Sequence, residues 1–251
     1  MLRVVRSALP FLSATAIAWS PAAAATATPL RFCAETVAKL KSDSDLAKAV
    51  RASYGEPGST HDETCLYPLQ VLRYADVDVL LTQNLAPESA CHGCEADLSA
   101  SVLRRVPGGL KHVRTFEAFG KSGTFGAVSS VSPIAIGGDD GLAIEAGGTF
   151  QGYTSVGLDL YAFRHQGLVR LDPGAPLYLE GDNAGAETDQ GKAISVDSAW
   201  SLAGGELVIN YRVTDSRGQR QSRAVWTVGD TQLTLKSGAA PKEMAHAVGA
   251  E

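Results

Sequence analysis

The second half of the chain is a succession of short apolar runs separated by glycine-rich turns, and this pattern constrains the fold more than any other feature. The runs are rich in β-branched, aliphatic and aromatic residues, which favour strands. They cover residues 128–136, 142–145, 155–163, 168–171, 177–180, 206–214 and 224–228. Gly137-Gly138-Asp139-Asp140-Gly141 and His165-Gln166-Gly167 are hairpin signals, because Gly and Asp tolerate the positive φ of tight turns. The pattern predicts a predominantly antiparallel β body, arranged as a meander, a sandwich or an open barrel.

The chain before residue 110 has a different character. Between Cys33 and Val50 apolar residues recur at helical spacing among charged ones, which predicts a helix. Residues 69–81 are rich in Val, Leu and Tyr and predict one or two strands. Residues 96–106 have the apolar spacing of a short helix, closed by Pro107-Gly108-Gly109. We therefore expect an α+β fold with one or two N-terminal helices and a sub-boundary near residue 110.

The first 25 residues have the three parts of a secretory signal peptide. Arg3 and Arg6 precede an apolar stretch, and the alanine-rich run 21–27 offers several cleavage sites. The apolar stretch is too short to span about 30 Å of hydrocarbon. No cysteine lies directly after the cleavage sites, so a lipid anchor is not expected. We expect a periplasmic or secreted protein in which residues 1–25 are removed, residues 26–236 form a single domain and residues 237–251 form a flexible tail.

The charge of the chain limits its partners. Loss of Arg3 and Arg6 with the signal takes the formal net charge from -5 to -7. An acidic chain has no basic excess to neutralise phosphates, so nucleic-acid binding is not expected. No second apolar run is long enough to span a bilayer, which predicts no stable membrane insertion after cleavage.

Four cysteines remain after the signal, and an oxidising compartment favours their pairing as disulfides. They are Cys33, Cys65, Cys91 and Cys94. Four cysteines allow three connectivities, and the sequence alone does not choose among them. We favour Cys33 with Cys65, which would join the first helix to the strand region, and Cys91 with Cys94, which would close a tight local loop.

The segment Cys91-His92-Gly93-Cys94 also supports a redox hypothesis. At the start of a helix, the helix dipole and His92 would stabilise the Cys91 thiolate as nucleophile, with Cys94 as the resolving thiol. A thioredoxin-like fold would need further βαβ units and a cis-proline downstream, and the β-rich pattern does not supply them. A third hypothesis is zinc held by Cys91 and Cys94 with His92, Cys65 or His61. It lacks a second ligand pair at a fixed spacing.

Other motifs are incomplete. Gly120-Lys121-Ser122 is similar to the end of a phosphate-binding loop, but Thr115 stands where its first glycine is required. The acidic segment 180–189 departs from a calcium loop at Ala184. No serine-nucleophile elbow or zinc-protease helix occurs. We therefore expect no cofactor and no resident metal, and a protein that is not an enzyme unless Cys91 and Cys94 are catalytic. The expected partner is an envelope protein or a small ligand.

Three segments carry a resemblance. They are Cys91-His92-Gly93-Cys94, the stretch 119–126 (FGKSGTFG) and the stretch 145–153 (EAGGTFQGY). With them the chain resembles a group of exported proteobacterial proteins that have a C-H-x-C segment, then F-G-x-x-G-x-F-G, then E-x-G-x-x-x-Q-G-Y. The group has no assigned activity, so the resemblance implies no catalytic residue. It implies that the C-x-x-C region and the first β strands form one structural unit.

Overall fold

The structure is a computed structural model that describes residues 31–56, 58–60, 65–87, 91, 93–124, 128–164, 167–186 and 193–250. The signal peptide predicted for residues 1–25 lies outside the described residues. So do His61 and His92, two of the candidate zinc ligands, and His165 and Gln166 of the second predicted hairpin turn.

The described chain begins with a small helical layer. Strand β1 (Phe32–Cys33) pairs in parallel with β2 (Ser59–Thr60). The chain between these strands forms two helices, α1 (Thr36–Ser42) and α2 (Ser44–Tyr54). Helix α2 begins at Ser44 because the Asp43 carboxylate accepts hydrogen bonds from the backbone N–H groups of Asp45 and Leu46, at 3.1 and 2.9 Å. The helix predicted between Cys33 and Val50 is confirmed as this pair of helices.

A four-stranded antiparallel sheet follows, in the order β3-β4-β5-β6. Its strands are β3 (Tyr67–Arg73), β4 (Val77–Gln83), β5 (Ala96–Val106) and β6 (Gly109–Ser122). The helix predicted for residues 96–106 is wrong, because this segment is β5. Leu98 and Ala100 face one buried layer while Ser101 and Leu103 face another. Apolar and polar residues alternate from 96 to 102 (ADLSASV), and this two-residue spacing indicates a strand and outweighs the helical spacing of the segment. Pro107-Gly108 is the turn of the β5–β6 hairpin.

The rest of the chain forms a nine-stranded sheet in which every pairing between strands is antiparallel. The strands are β7 (Ser130–Ile136), β8 (Asp139–Phe150), β9 (Tyr153–Arg164), β10 (Gly167–Arg170), β11 (Tyr178–Asp182), β12 (Ser195–Ala203), β13 (Glu206–Asp215), β14 (Gly218–Val228) and β15 (Leu233–Gly238). The order is β15-β14-β13-β12-β11-β9-β8-β7, with β10 beside β9. The predominantly antiparallel β body predicted from the sequence is confirmed, and β12 and β15 are strands that the sequence pattern missed.

The nine-stranded sheet is curled, so that the chain after β10 contacts the chain at the start of β15. The backbone of Asp172, just after β10, pairs with the chain just before β15 through hydrogen bonds to Thr231 and Leu233, at 3.1 and 2.9 Å. The curl encloses one apolar core between β7–β9 and β12–β15, which includes Leu160, Ile209 and Trp226. We call the Asp172 contact the seam.

The two sheets are packed face to face. Leu98 and Ala100 of β5 share a buried cluster with Leu142, Ile144 and Tyr161 of the nine-stranded sheet. On the opposite face of the smaller sheet, α2 forms another cluster with β4 and β5. The molecule is therefore layered as helices, small sheet and large curled sheet, and the central sheet is buried on both sides.

The segment predicted as a flexible tail, residues 237–251, contains the end of β15 and a third helix, α3 (Glu243–Ala247). Met244 and Ala247 of α3 are buried in the core of the large sheet. The helix lies so close to β11 that a Cβ added at Gly181 would be 3.1 Å from the Met244 sulfur. Helices are thus few but not confined to the N-terminal part. None of the helices in the described chain is long and apolar enough to cross a membrane.

Candidate functional site

The structure pairs the four cysteines as the sequence favoured. Cys33 is bonded to Cys65 and Cys91 to Cys94, and none of the four has a free thiol. Disulfide sulfurs are not the thiolate ligands that zinc requires, so this state of the protein does not support the zinc hypothesis. Among the described residues, no three His, Cys, Asp or Glu side chains are grouped so that they could hold a metal ion.

The two disulfides lie in different environments. Cys33 and Cys65 are 0% and 8% exposed, and their bond ties the segment before α1 to the segment before β3. Cys91 is exposed and Cys94 is half-buried, in a short loop closed by a 2.9 Å hydrogen bond from the Cys94 N–H to the Cys91 carbonyl. The first disulfide is enclosed by protein, whereas the second is open to solvent at Cys91.

The Cys91–Cys94 pair does not precede a helix. Because the segment that follows it is β5, no helix dipole acts on Cys91, and this support for the redox hypothesis is lost. The exposure of Cys91 still supports the redox hypothesis, since thiol–disulfide exchange requires access to a sulfur atom.

Close in sequence to this loop, at Glu95, the second and third segments that carry the resemblance meet at a cleft between the two sheets. Its volume is about 200 Å³, and we call it the inter-sheet cleft. Glu95, next to Cys94, lines it together with Lys121–Thr124 at the end of β6 and Ala146-Gly147 of β8. The Thr124 hydroxyl donates a 3.0 Å hydrogen bond to the Gly147 carbonyl and joins the second segment to the third.

The rim of the inter-sheet cleft carries charges that are already paired. Arg170 donates two hydrogen bonds to Asp159, at 3.0 and 2.6 Å, and these bonds raise the pKa of Arg170 above its usual range. Lys121 lies 3.6 Å from Asp97. A ligand that needed these charges would have to displace their partners, so the cleft is a poor candidate for strong ionic recognition.

The motif Gly120-Lys121-Ser122 has a structural explanation. It lies in β6, where Gly120 faces Tyr161, and a Cβ added to this glycine would be 2.2 Å from the tyrosine oxygen. The Tyr161 ring also meets Phe119 edge to face, with ring centroids 5.0 Å apart. Burial raises the pKa of Tyr161 to about 12, so its hydroxyl stays protonated at neutral pH. The glycine therefore permits a close contact between the two sheets.

A larger concavity lies on β12–β14, on the side away from the enclosed core. Its volume is about 640 Å³. Its lining includes five exposed polar side chains on neighbouring strands, and we call this set the polar face: Asp197, Asn210, Arg212, Gln221 and Arg223. They fall in two adjacent cross-strand rows, with Asp197, Arg212 and Gln221 in one and Asn210 beside Arg223 in the next.

The polar face holds unused hydrogen-bonding capacity. Arg212 contacts Asp197 at 3.3 Å. The side chains of Asn210, Gln221 and Arg223 form no hydrogen bond or ion pair with another part of the described chain. The sequence does not single out these residues, because the register of β12, β13 and β14 brings them together and the pattern does not predict β12. The alternation of Val196, Trp200 and Leu202 with small or polar residues is the signal that could have revealed it.

The chain matches no protein family, and neither a curated protein nor a solved structure is significantly similar to it. The class of the molecule therefore follows from its own architecture. It is a mainly antiparallel β protein of two packed sheets with two disulfides.

Proposed function

We propose that the mature protein is an exported binding module of the cell envelope that holds a small ligand bearing carboxylate, hydroxyl and amide groups on the polar face. The observation that carries this proposal is the set of unpaired side chains Asn210, Gln221 and Arg223 on one concave surface. Arg105 and Arg220, in contrast, are paired with Asp78 and Asp215. Donors left unpaired together on a concavity are what a polar ligand requires.

The residue types fit this ligand chemistry. A guanidinium group can donate two parallel hydrogen bonds to a carboxylate, which suits Arg223 to an acidic group. The amides of Asn210 and Gln221 can both donate and accept, and the Asp197 carboxylate accepts from hydroxyl groups. No histidine or cysteine is among the residues that line the concavity, so it has neither an imidazole base nor a thiol nucleophile. The chemistry supports binding more than turnover.

Two further observations support an envelope location. The N-terminal segment has the organisation of a signal peptide. Both disulfides are of the kind that persists in an oxidising compartment. A binding protein in that compartment would meet cell-wall fragments, which carry sugar hydroxyls, peptide amides and carboxylates together.

Calorimetric titration with a purified disaccharide-tetrapeptide from peptidoglycan tests the proposal. The variant N210A/R223A removes the unpaired donors and should weaken binding about 10- to 100-fold, the usual worth of a hydrogen bond to a charged group. The control Arg51→Ala removes an exposed arginine from α2 and should bind like the wild type. Equal affinity in N210A/R223A, or no heat of binding in the wild type, would contradict the proposal.

We propose thiol–disulfide exchange at Cys91–Cys94 as a second candidate function, because Cys91 is exposed. After reduction of the pair by a dithiol, the Cys91 thiolate would attack a substrate disulfide and release one substrate thiol. Cys94 would then attack the mixed disulfide, which restores the Cys91–Cys94 bond and leaves the substrate reduced.

Insulin reduction in the presence of dithiothreitol separates the two candidates. Activity in the wild type that disappears in Cys91→Ala would establish the redox function. If the wild type does not accelerate the reaction, and non-reduced peptide mapping shows the Cys91–Cys94 bridge intact in protein from the periplasm, the pair is structural.

A further inference from the structure

The end of the β5–β6 hairpin concentrates positive charge and exposed apolar surface in an otherwise acidic chain. It carries Arg104, Val106, Lys111, Val113 and Arg114, and we call this set the basic hairpin. Val106 is 38% exposed and Val113 is 46% exposed, two of the five large hydrophobic side chains that are exposed in the described chain. The formal charge of the whole sequence is -5, so the positive charge of this patch is opposite in sign to the net charge of the chain.

The three cations of the basic hairpin lie on one face of the sheet. Arg104 is directly opposite Lys111 in the β5–β6 register, and Arg114 is opposite Val102, two residues before Arg104. Residues two apart on a strand share a face. The Arg114 guanidinium lies 4.0 Å from the centre of the Phe116 ring, which holds it along the strand.

This arrangement has no partner within the described molecule. Like charges directly opposite each other weaken a strand pair, yet Arg104 and Lys111 stand in that position. Neither they nor Arg114 form an ion pair with a described residue. The neighbouring Arg105 differs, because it donates to Asp78 at 3.1 and 2.5 Å and to the carbonyl of Tyr74.

Charge and apolar exposure together identify the partner. Val106 lies two residues beyond Arg104 on β5 and shares its face, next to the Pro107-Gly108 turn. Cations beside an exposed apolar tip suit an interface where anionic headgroups meet acyl chains. A soluble polyanion would satisfy the cations but would leave the valines without a contact. We propose that the basic hairpin docks the mature protein peripherally on a membrane surface containing anionic phospholipid.

The docking surface is distinct from the polar face. The basic hairpin belongs to the small sheet, whereas the polar face belongs to β12–β14 of the large sheet. The inference therefore does not depend on the proposed ligand binding, and either can fail alone.

Vesicle co-sedimentation of the mature, disulfide-bonded protein tests the inference. Phosphatidylcholine vesicles that contain phosphatidylglycerol should bind the protein at low salt, and pure phosphatidylcholine vesicles or molar salt should abolish binding. The variant R104Q/K111Q/R114Q should lower the partition coefficient about 100-fold, since each cation near an anionic surface contributes about 1 kcal/mol. The control K41Q/K48Q/R51Q removes the same charge from α1 and α2 and should bind like the wild type.

A second variant examines the apolar contribution. V106S/V113S keeps every charge and should still weaken vesicle binding several-fold, because the valines would enter the headgroup region. Thermal melts of all variants check that the fold is retained. The inference is overturned by equal binding to both vesicle types, or by equal losses in the two charge variants. It is also overturned if V106S/V113S binds vesicles as well as the wild type, because the valines that distinguish a membrane from a soluble polyanion as the partner would then contribute nothing.

Discussion

The two ends of the described chain are fastened to the sheets by different chemistry. At the N-terminal end, the buried Cys33–Cys65 disulfide ties the helical layer to the small sheet. At the C-terminal end, α3 is held by the burial of Met244 and by ion pairs. The first attachment responds to reductant, while the second responds to pH and salt. One molecule therefore has two attachments that fail under different conditions.

The ionic attachment of α3 is a cluster of two carboxylates and two arginines. Arg220 donates two hydrogen bonds to Asp215, at 3.0 and 2.9 Å, and one to Glu243 of α3 at 2.9 Å. Arg217 reaches the same two carboxylates. The hydrogen bonds from Arg220 and then Arg217 hold the pKa of Asp215 far below its usual range. The cluster links the β13–β14 hairpin to the last helix.

The largest expected effect is the loss of the covalent attachment. The variant C33A/C65A removes the bridge between residues 32 positions apart and should lower the free energy of unfolding by about 3–4 kcal/mol, according to the chain-entropy relation. Urea denaturation of the wild type and the variant measures it. A loss under 1 kcal/mol would show that the disulfide does not stabilise the N-terminal layer.

Truncation of the apolar anchor of α3 should have the next largest effect. Met244→Ala leaves a cavity in the core of the large sheet and should lower the free energy of unfolding by about 2–3 kcal/mol. Hydrogen exchange should also become faster in residues 243–247. Ala245→Ser changes an exposed position of the same helix and serves as the control. Unchanged stability in Met244→Ala would mean that α3 is not anchored through this side chain.

The exposed disulfide should contribute less than the buried one. Cys91 and Cys94 are only three positions apart, so C91A/C94A releases a very short loop, worth at most about 2 kcal/mol by the same relation. Mild reductant should open this bond while Cys33–Cys65 stays closed until the protein unfolds. Thiol labelling followed by peptide mapping measures the order. Simultaneous reduction of both bonds contradicts the difference in exposure.

The smallest effect concerns the ionic attachment and depends on pH. Because the folded-state pKa of Asp215 is depressed, its contribution is fully present above the unfolded value near 4 and is lost as the pH falls below it toward the folded value. Asp215→Asn should therefore have a lower free energy of unfolding than the wild type at neutral pH. This gap in free energy between the two proteins should narrow in acid. Urea denaturation across pH measures the gap. A gap that stays constant down to low pH would exclude this carboxylate as its source.

The sequence predicts the features that rest on local patterns. The glycine-separated strands and the early helices follow from spacing and turn chemistry. The cysteine pairing is favoured among three connectivities that the sequence leaves open. The segment 96–106 is misread although residues 96–102 (ADLSASV) alternate as a strand does, because the following apolar and charged residues also fit a helical spacing and Pro107-Gly108 is a common helix end as well as a hairpin turn. Helix α3 is missed because it has only five residues and is stabilised by distant side chains such as Arg220.

The candidate site is harder to predict from the sequence than the strands and helices are. Asp197, Asn210 and Arg223 become neighbours only through the register of β12, β13 and β14, which no local pattern specifies. The cysteines, in contrast, are visible in the sequence, but their exposure is not. Which disulfide is enclosed and which is open depends on the packing around them.

The seam also affects how copies of the chain can interact. Asp172 closes the curl through two backbone hydrogen bonds, whereas the neighbouring strand pairs are joined by longer ladders. Opening at this point would expose the edge of β15 and the chain after β10, two edges that already fit each other. The same contact can form between the β15 edge of one molecule and the chain after β10 of another, because these two edges already pair within one molecule. The seam is therefore where strand exchange and dimerisation by domain swapping would begin at high concentration.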